Sequence, residues 1–160
     1  MNFKDVDYGA ASGGRKAAAS FEGQAGRIGL GKKISLERNS LQVAYRFDKS
    51  ASGIFRIEIN LAMPSCDGPA GRFRIGDDIP GGFGQPLHLE AMSEIMLEDE
   101  VLGGSLTLAC SVPGVLNAWP HFSVSQSEAG FEKIMQAVTL ELVFAMNGLG
   151  RGLDITLTVD

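Results

Sequence analysis

In one short run after another, large apolar residues fall at every second position, and this restricts the chain to strands. Leu41, Val43, Tyr45 and Phe47 alternate with Gln42, Ala44 and Arg46. A period of two places one set of side chains on each face of a strand; a helix would scatter them around its axis. The pattern returns at Phe55, Ile57, Ile59 and Leu61, at Leu106, Leu108 and Cys110, at Val138, Leu140 and Leu142, and at Leu153, Ile155, Leu157 and Val159. Ile34 and Leu36 precede the turn-like Arg38-Asn39-Ser40, so the runs on either side predict a hairpin. Arg72 to Ile75 reads as a short strand and Leu87 to Met92 as a longer one. Glu94 to Asp99 either continues it or starts another, and for 90–99 a helix competes, because EAMSEIMLEDE is rich in good helix formers. Breaks are expected at Asp48 to Gly53, Pro64 to Gly71, Asp77 to Gln85, Gly103-Gly104, Pro113-Gly114 and Asn147 to Gly152, where Gly, Pro and Asn gather. The 21 glycines suit so many turns. Eight or more strands with little helix predict an all-β fold. An antiparallel β-sandwich is the expected form, because a sheet with one apolar face must bury it against a second layer.

At 160 residues one core is the natural expectation. Residues 26–160 read as a single β-sandwich domain. Residues 1–25 are dominated by Gly, Ala and Ser and read as a loosely ordered N-terminal segment or linker, pinned at most by Phe3, Tyr8 and Phe21. The net charge of −5 argues against nucleic acid, whose phosphates call for a basic face. No apolar run approaches the ~20 residues of a membrane span. No apolar leader follows the N-terminus, so a cytoplasmic location is expected. Cys66 and Cys110 are then free thiols, with a disulfide as the alternative. The glycine-rich DDIPGGFGQ matches neither phosphate-binding fingerprint, and no cofactor is expected.

Candidate chemistry concentrates between Asn117 and Glu141. This stretch holds the only Trp, one of the two His, and the polar knot Ser125-Gln126-Ser127-Glu128. Trp119, His121, Gln126 and Glu128 supply the aromatic face and polar groups that sugar binding uses. The alternative is that Trp119 packs the core and the polar residues satisfy backbone groups. No metal site is expected, since His88 and His121 are 33 positions apart with no clustered Cys. Glu128 and Glu132 are candidates for a carboxylate pair, but nothing in their spacing requires one cleft. Outward rows at Arg56, Glu58 and Asn60, and at His88 and Glu90, either bind a polar ligand or face solvent.

The stretch WPHFSVSQSEAGFEKIMQAVTLEL resembles the C-terminal β-sandwich domain of family 57 glycoside hydrolases, the α-amylase and 4-α-glucanotransferase group. Pro120, Ser123, Ser125, Ser127, Glu128, Gly130, Phe131, Glu132 and Gln136 carry the likeness. KKISLERNSLQVAYRF, IFRIEINLAMPS and LEDEVLGGSLTLACS extend it over roughly 28–159. The resemblance implies a β-sandwich of the mutarotase-like supersandwich type. It also implies a non-catalytic role, because the family's catalytic carboxylates belong to a separate barrel domain. Partners would be an α-glucan or oligosaccharide, or a catalytic domain. Ser127, Gly130, Phe131, Glu132 and Gln136 then form a structural signature that turns one long strand into the next. Two other functions stay open. One is a stand-alone mutarotase-like epimerase using His88, His121 and Glu128 as acid and base. The other is a structural or protein-interaction module that pairs through an exposed strand edge.

Overall fold

A computed structural model describes residues 9–13, 16–25, 27–49, 52–63, 65, 68–127 and 130–160. Among them are eleven strands: β1 (Gly9–Gly13), β2 (Lys16–Ala25), β3 (Ile28–Glu37), β4 (Ser40–Phe47), β5 (Ile54–Leu61), β6 (Gly71–Ile75), β7 (Asp78–Gly82), β8 (Leu87–Asp99), β9 (Gly104–Ser127), β10 (Gly130–Ala145) and β11 (Gly152–Val159). One helical turn, α1 (Met146–Leu149), joins β10 to β11. Each strand pair is antiparallel. The hydrogen-bonded order is β1-β2-β3-β4-β11-β9-β8-β6-β7, with β10 pairing β9 and β5 pairing β10. Among the described residues no helix is long and apolar enough to cross a membrane.

The fold is an antiparallel β-sandwich, and β9 is the strand on which its two layers divide. The first part of β9 pairs β11 through Cys110 and the second part pairs β10 from Val115 onward. β8 follows it in both parts, with register shifts at Met92 where the direction changes. One layer therefore carries β1 to β4, β11, the early part of β9, the late part of β8, β6 and β7. The other is four strands wide: β5, β10, late β9 and early β8. The layers meet through aromatic edges. The ring of Phe55 on β5 lies 5.1 Å from that of Tyr45 and 5.3 Å from that of Phe47, both on β4 and both T-shaped to it. Between the layers lie Phe73, Phe83, Ile95, Leu97, Leu108, Leu116, Leu140, Leu142 and Leu153, each fully buried. The alternation read from sequence on β5 and β10 thus gives one face to this core and the other to the outside.

Several local readings are corrected by the pairing. Pro113-Gly114 does not interrupt the chain; it lies inside β9. Pro113 falls between the last β11 partner and the first β10 partner, so its missing N–H leaves no ladder bond unmade. Gly114 is required there because an added Cβ would stand 2.5 Å from Cε1 of Phe144. Glu94 to Asp99 continues the strand begun at Leu87, as one of its readings had it, and pairing with β9 and β6 overrides the competing helix propensity of 90–99. Asp78–Gly82, read as loop, is β7, and part of 147–152 is α1. Residues 9–13 and 16–25, read as part of a loose segment, are strands. β2 pairs β3 over ten residues, from Lys16↔Glu37 to Ala25↔Ile28, and its order comes from that ladder, not from an apolar pattern. The β3–β4 hairpin forms as expected, with Arg38 at φ 52° in its two-residue turn.

Candidate carbohydrate-binding face

Trp119 lies on β9 directly opposite Thr139 of β10. Core residues Leu116, Ala118, Val138 and Leu140 point inward, so Asn117, Trp119, Thr139 and Glu141 point outward. On β5 the outward residues are Arg56, Glu58 and Asn60, and on β8 they are His88 and Glu90. Period two and register thus bring side chains from four separate stretches of sequence onto one surface.

These groups form two hydrogen-bonded rows. In the first, the Asn117 side-chain amide donates to Oε2 of Glu141 at 2.9 Å, and Oδ1 of Asn117 stands 2.6 Å from Nδ1 of His88. Nε2 of the same ring is 3.0 Å from Oε1 of Glu90. Both ring nitrogens face acceptors, so the row closes fully only on the imidazolium. The Glu90 bond first, then that to Asn117, raises the His88 pKa above its ordinary value. In the second row, Oγ1 of Thr139 donates to Oδ1 of Asn60 at 2.5 Å, and Nδ2 of Asn60 donates to Oε1 of Glu58 at 3.0 Å. Thr139 is 2% exposed although it points outward, since Trp119 and Asn60 flank it across the strands.

Glu58 and Glu141 are direct cross-strand partners. Like charges placed this way repel. Each carboxylate takes its amide donor from a different side, Glu141 from β9 and Glu58 from β5.

The residues expected to contact sugar do not all share this face. Trp119 does, half-buried, and His121 follows it outward and exposed, opposite Ala137. Gln126 lies seven residues beyond Trp119 on β9, ~23 Å along an extended strand, and by parity points to the other side. Glu128 lies outside the described residues, as does Cys66. Cys110 is buried, and burial pushes its thiol up to about 11. His88 pairs with Asn117 and His121 is four residues further along β9, ~13 Å away. The two imidazoles therefore do not converge on one bond, as an acid–base pair must. Among the described residues no three His, Cys, Asp or Glu side chains gather as metal ligands.

The signature residues occupy the far end of the β9–β10 hairpin. Ser127 pairs Gly130, whose φ is 123°, and Glu132 pairs Ser125. Gln136 is the extra residue of a bulge between Met135 and Ala137. β8 leaves β9 at Ala118 and β5 leaves β10 at Val138, so the hairpin runs on as a two-stranded ribbon. Phe131 is 79% exposed and Val124 71% exposed on one side of it.

The sequence matches a family model described as "Alpha-amylase/4-alpha-glucanotransferase, C-terminal" over residues 2–156. The chain belongs to this family. No curated protein sequence matches it. Among solved structures, the α-amylase/4-α-glucanotransferase C-terminal chain is similar to 4-α-glucanotransferase from Thermococcus litoralis, with a TM-score of 0.60 and 19% identity, covering 96% of this chain and 23% of that one. Heparan sulfate lyase HepC from Pedobacter heparinus gives 0.61 and 9%, covering 99% and 22%. A putative aldose 1-epimerase from Escherichia coli K12 gives 0.55 and 10%, covering 96% and 68%. At these identities the structural likeness is one of fold, and it extends to the epimerase-type sandwich. This family member spans about a quarter of the length of the glucanotransferase and of the lyase.

Proposed function

We propose that this chain is a non-catalytic β-sandwich that works beside an α-amylase- or 4-α-glucanotransferase-type catalytic domain and holds α-glucan on the outer face of its four-stranded layer. The observation that carries the reading is Trp119 set beside two rows of hydrogen-bonded amides and carboxylates on one exposed surface. A pyranose stacks its C–H face on an indole, and its hydroxyls bond to groups of this kind. Because neighbouring side chains already hold these groups, little ordering entropy is spent on binding. Glu58, Glu90 and Glu141 outnumber Arg56 on the face, which favours a neutral glycan over a uronate or sulfated one. The projecting ribbon, with Phe131 and Val124 exposed, supplies an apolar contact for the bracing part of the role.

Trp119 is the only tryptophan, so its fluorescence reports on this face alone. Titration with maltohexaose should change that emission, and Trp119→Ala should abolish binding measured by calorimetry. An unchanged spectrum at millimolar sugar removes direct glucan binding from the reading.

A further inference from the structure

We propose that Nε2 of His88 is a hydroxyl acceptor on this face, that Asn117 fixes the ring in the tautomer that leaves Nε2 free, and that Glu90 caps Nε2 until a sugar replaces it. The inference rests on the glucan-binding reading and gives one subsite a chemical identity.

The protons of the row can be followed one by one. Glu141 accepts from the Asn117 amide nitrogen, which turns Oδ1 of Asn117, an acceptor, toward His88. Nδ1 must therefore carry a proton in either charge state of the ring. When the ring gives up a proton it leaves from Nε2, because loss from Nδ1 would set a lone pair against Oδ1 at 2.6 Å. Nε2 then holds a lone pair facing a carboxylate 3.0 Å away, and that contact turns repulsive. Glu90, with 82% of its side chain exposed, is free to swing into water. What remains is an aromatic nitrogen acceptor, locked in orientation and open to solvent. His88 is diagonal to Trp119 across β8 and β9, so the hydroxyls of a ring stacked on the indole come within its reach.

The charged groups on the surrounding strands are of both signs, with carboxylates in the majority. Glu90 on β8, Glu141 on β10 and Glu58 on β5 favour the imidazolium, while Arg56 on β5 and, when protonated, His121 on β9 oppose it. A neutral sugar competes with Glu90 for Nε2, so binding strengthens as pH rises through the His88 pKa. The expected gain is roughly three- to tenfold, the net contribution of one hydrogen bond.

Nitrogen NMR of the histidine rings between pH 5 and 9 tests the tautomer directly. Neutral His88 should be Nδ1–H in the native protein and a mixture in Asn117→Leu, while Asn117→Asp should keep Nδ1–H. A neutral ring protonated at Nε2 overturns the proposal, whatever sugar does. Maltohexaose titrations over the same range test the cap. Glu90→Gln removes the largest cause that raises the His88 pKa, so the midpoint of the binding profile should move to lower pH while affinity at high pH is kept. Binding that is present but flat with pH overturns the acceptor role and leaves the glucan-binding reading standing. Absence of any binding overturns both.

Discussion

Asp99 ends β8 with 1% of its surface exposed, and its carboxylate is what closes the turn into β9. Oδ1 accepts the amides of Val101 at 3.0 Å and Leu102 at 3.1 Å, and Oδ2 accepts that of Ser65 at 3.4 Å. Burial pushes its pKa up, but hydrogen bonds from Ser65 and from the Leu102 and Val101 amides outweigh this and hold it below the usual carboxylate range. A lowered folded-state pKa means stability that is present above the unfolded value of ~3.9 and is lost as pH falls through the folded value. Asp99→Ala should cost about 1–3 kcal/mol, since buried amides are left without an acceptor. Asp99→Asn should flatten the acid limb of the stability profile, and urea midpoints at neutral and acid pH would show both effects. From sequence, LEDEVLGG announced a turn but gave no means to choose among Glu98, Asp99 and Glu100. Only Asp99 points inward, while Glu98 and Glu100 pair with Arg72 across β6.

Strands whose apolar residues alternate were legible: β3, β4, β5, β11 and the later part of β10 follow the period-two pattern. β2 was not, because KAAASFEGQA offers small residues on both faces and takes its order from β3. β9 read as two pieces, because proline and glycine usually end a strand and only the change of partner makes them harmless there. The candidate site was legible by side chain and not by surface. Trp119 and His121 stood out as rare residues, whereas Asn117, Thr139 and Glu141 are ordinary until register sets them beside His88, Asn60 and Glu58. Their outward positions in the alternation were the available signal. Glu58 and Glu141 set two like charges directly opposite each other across β5 and β10. Glu58→Gln should raise stability by about 0.2–1 kcal/mol at low salt through loss of repulsion, with a smaller gain at high salt. The same substitution should weaken glucan binding. Thermal denaturation at two salt concentrations, paired with calorimetry, checks the trade; a variant that loses stability would show that the carboxylates do not strain the sheet.

At the scale of the whole molecule, the layers share strands and therefore stability. β8 and β9 run through both, so neither layer can unfold without breaking ladders that belong to the other. Period two could not disclose this, since it says which face a residue takes and not which strand lies beside it. Two probes sit in different layers. Trp119 is in the four-stranded layer, and Cys110, buried with its thiol pushed up to about 11, pairs Ile155 in the other. In a Cys66→Ser background, Cys110 should resist a thiol reagent until global unfolding. Its urea midpoint, read by pulsed labelling, should coincide with that of Trp119 emission. Phe55→Ala removes the ring that touches both Tyr45 and Phe47 across the core, at a cost of about 3–5 kcal/mol. Because the coupling runs through continuous strands as well as through that aromatic contact, the two midpoints should fall together in this variant. Midpoints that separate would mean that the core contact, and not the shared strands, makes the sandwich unfold as one unit.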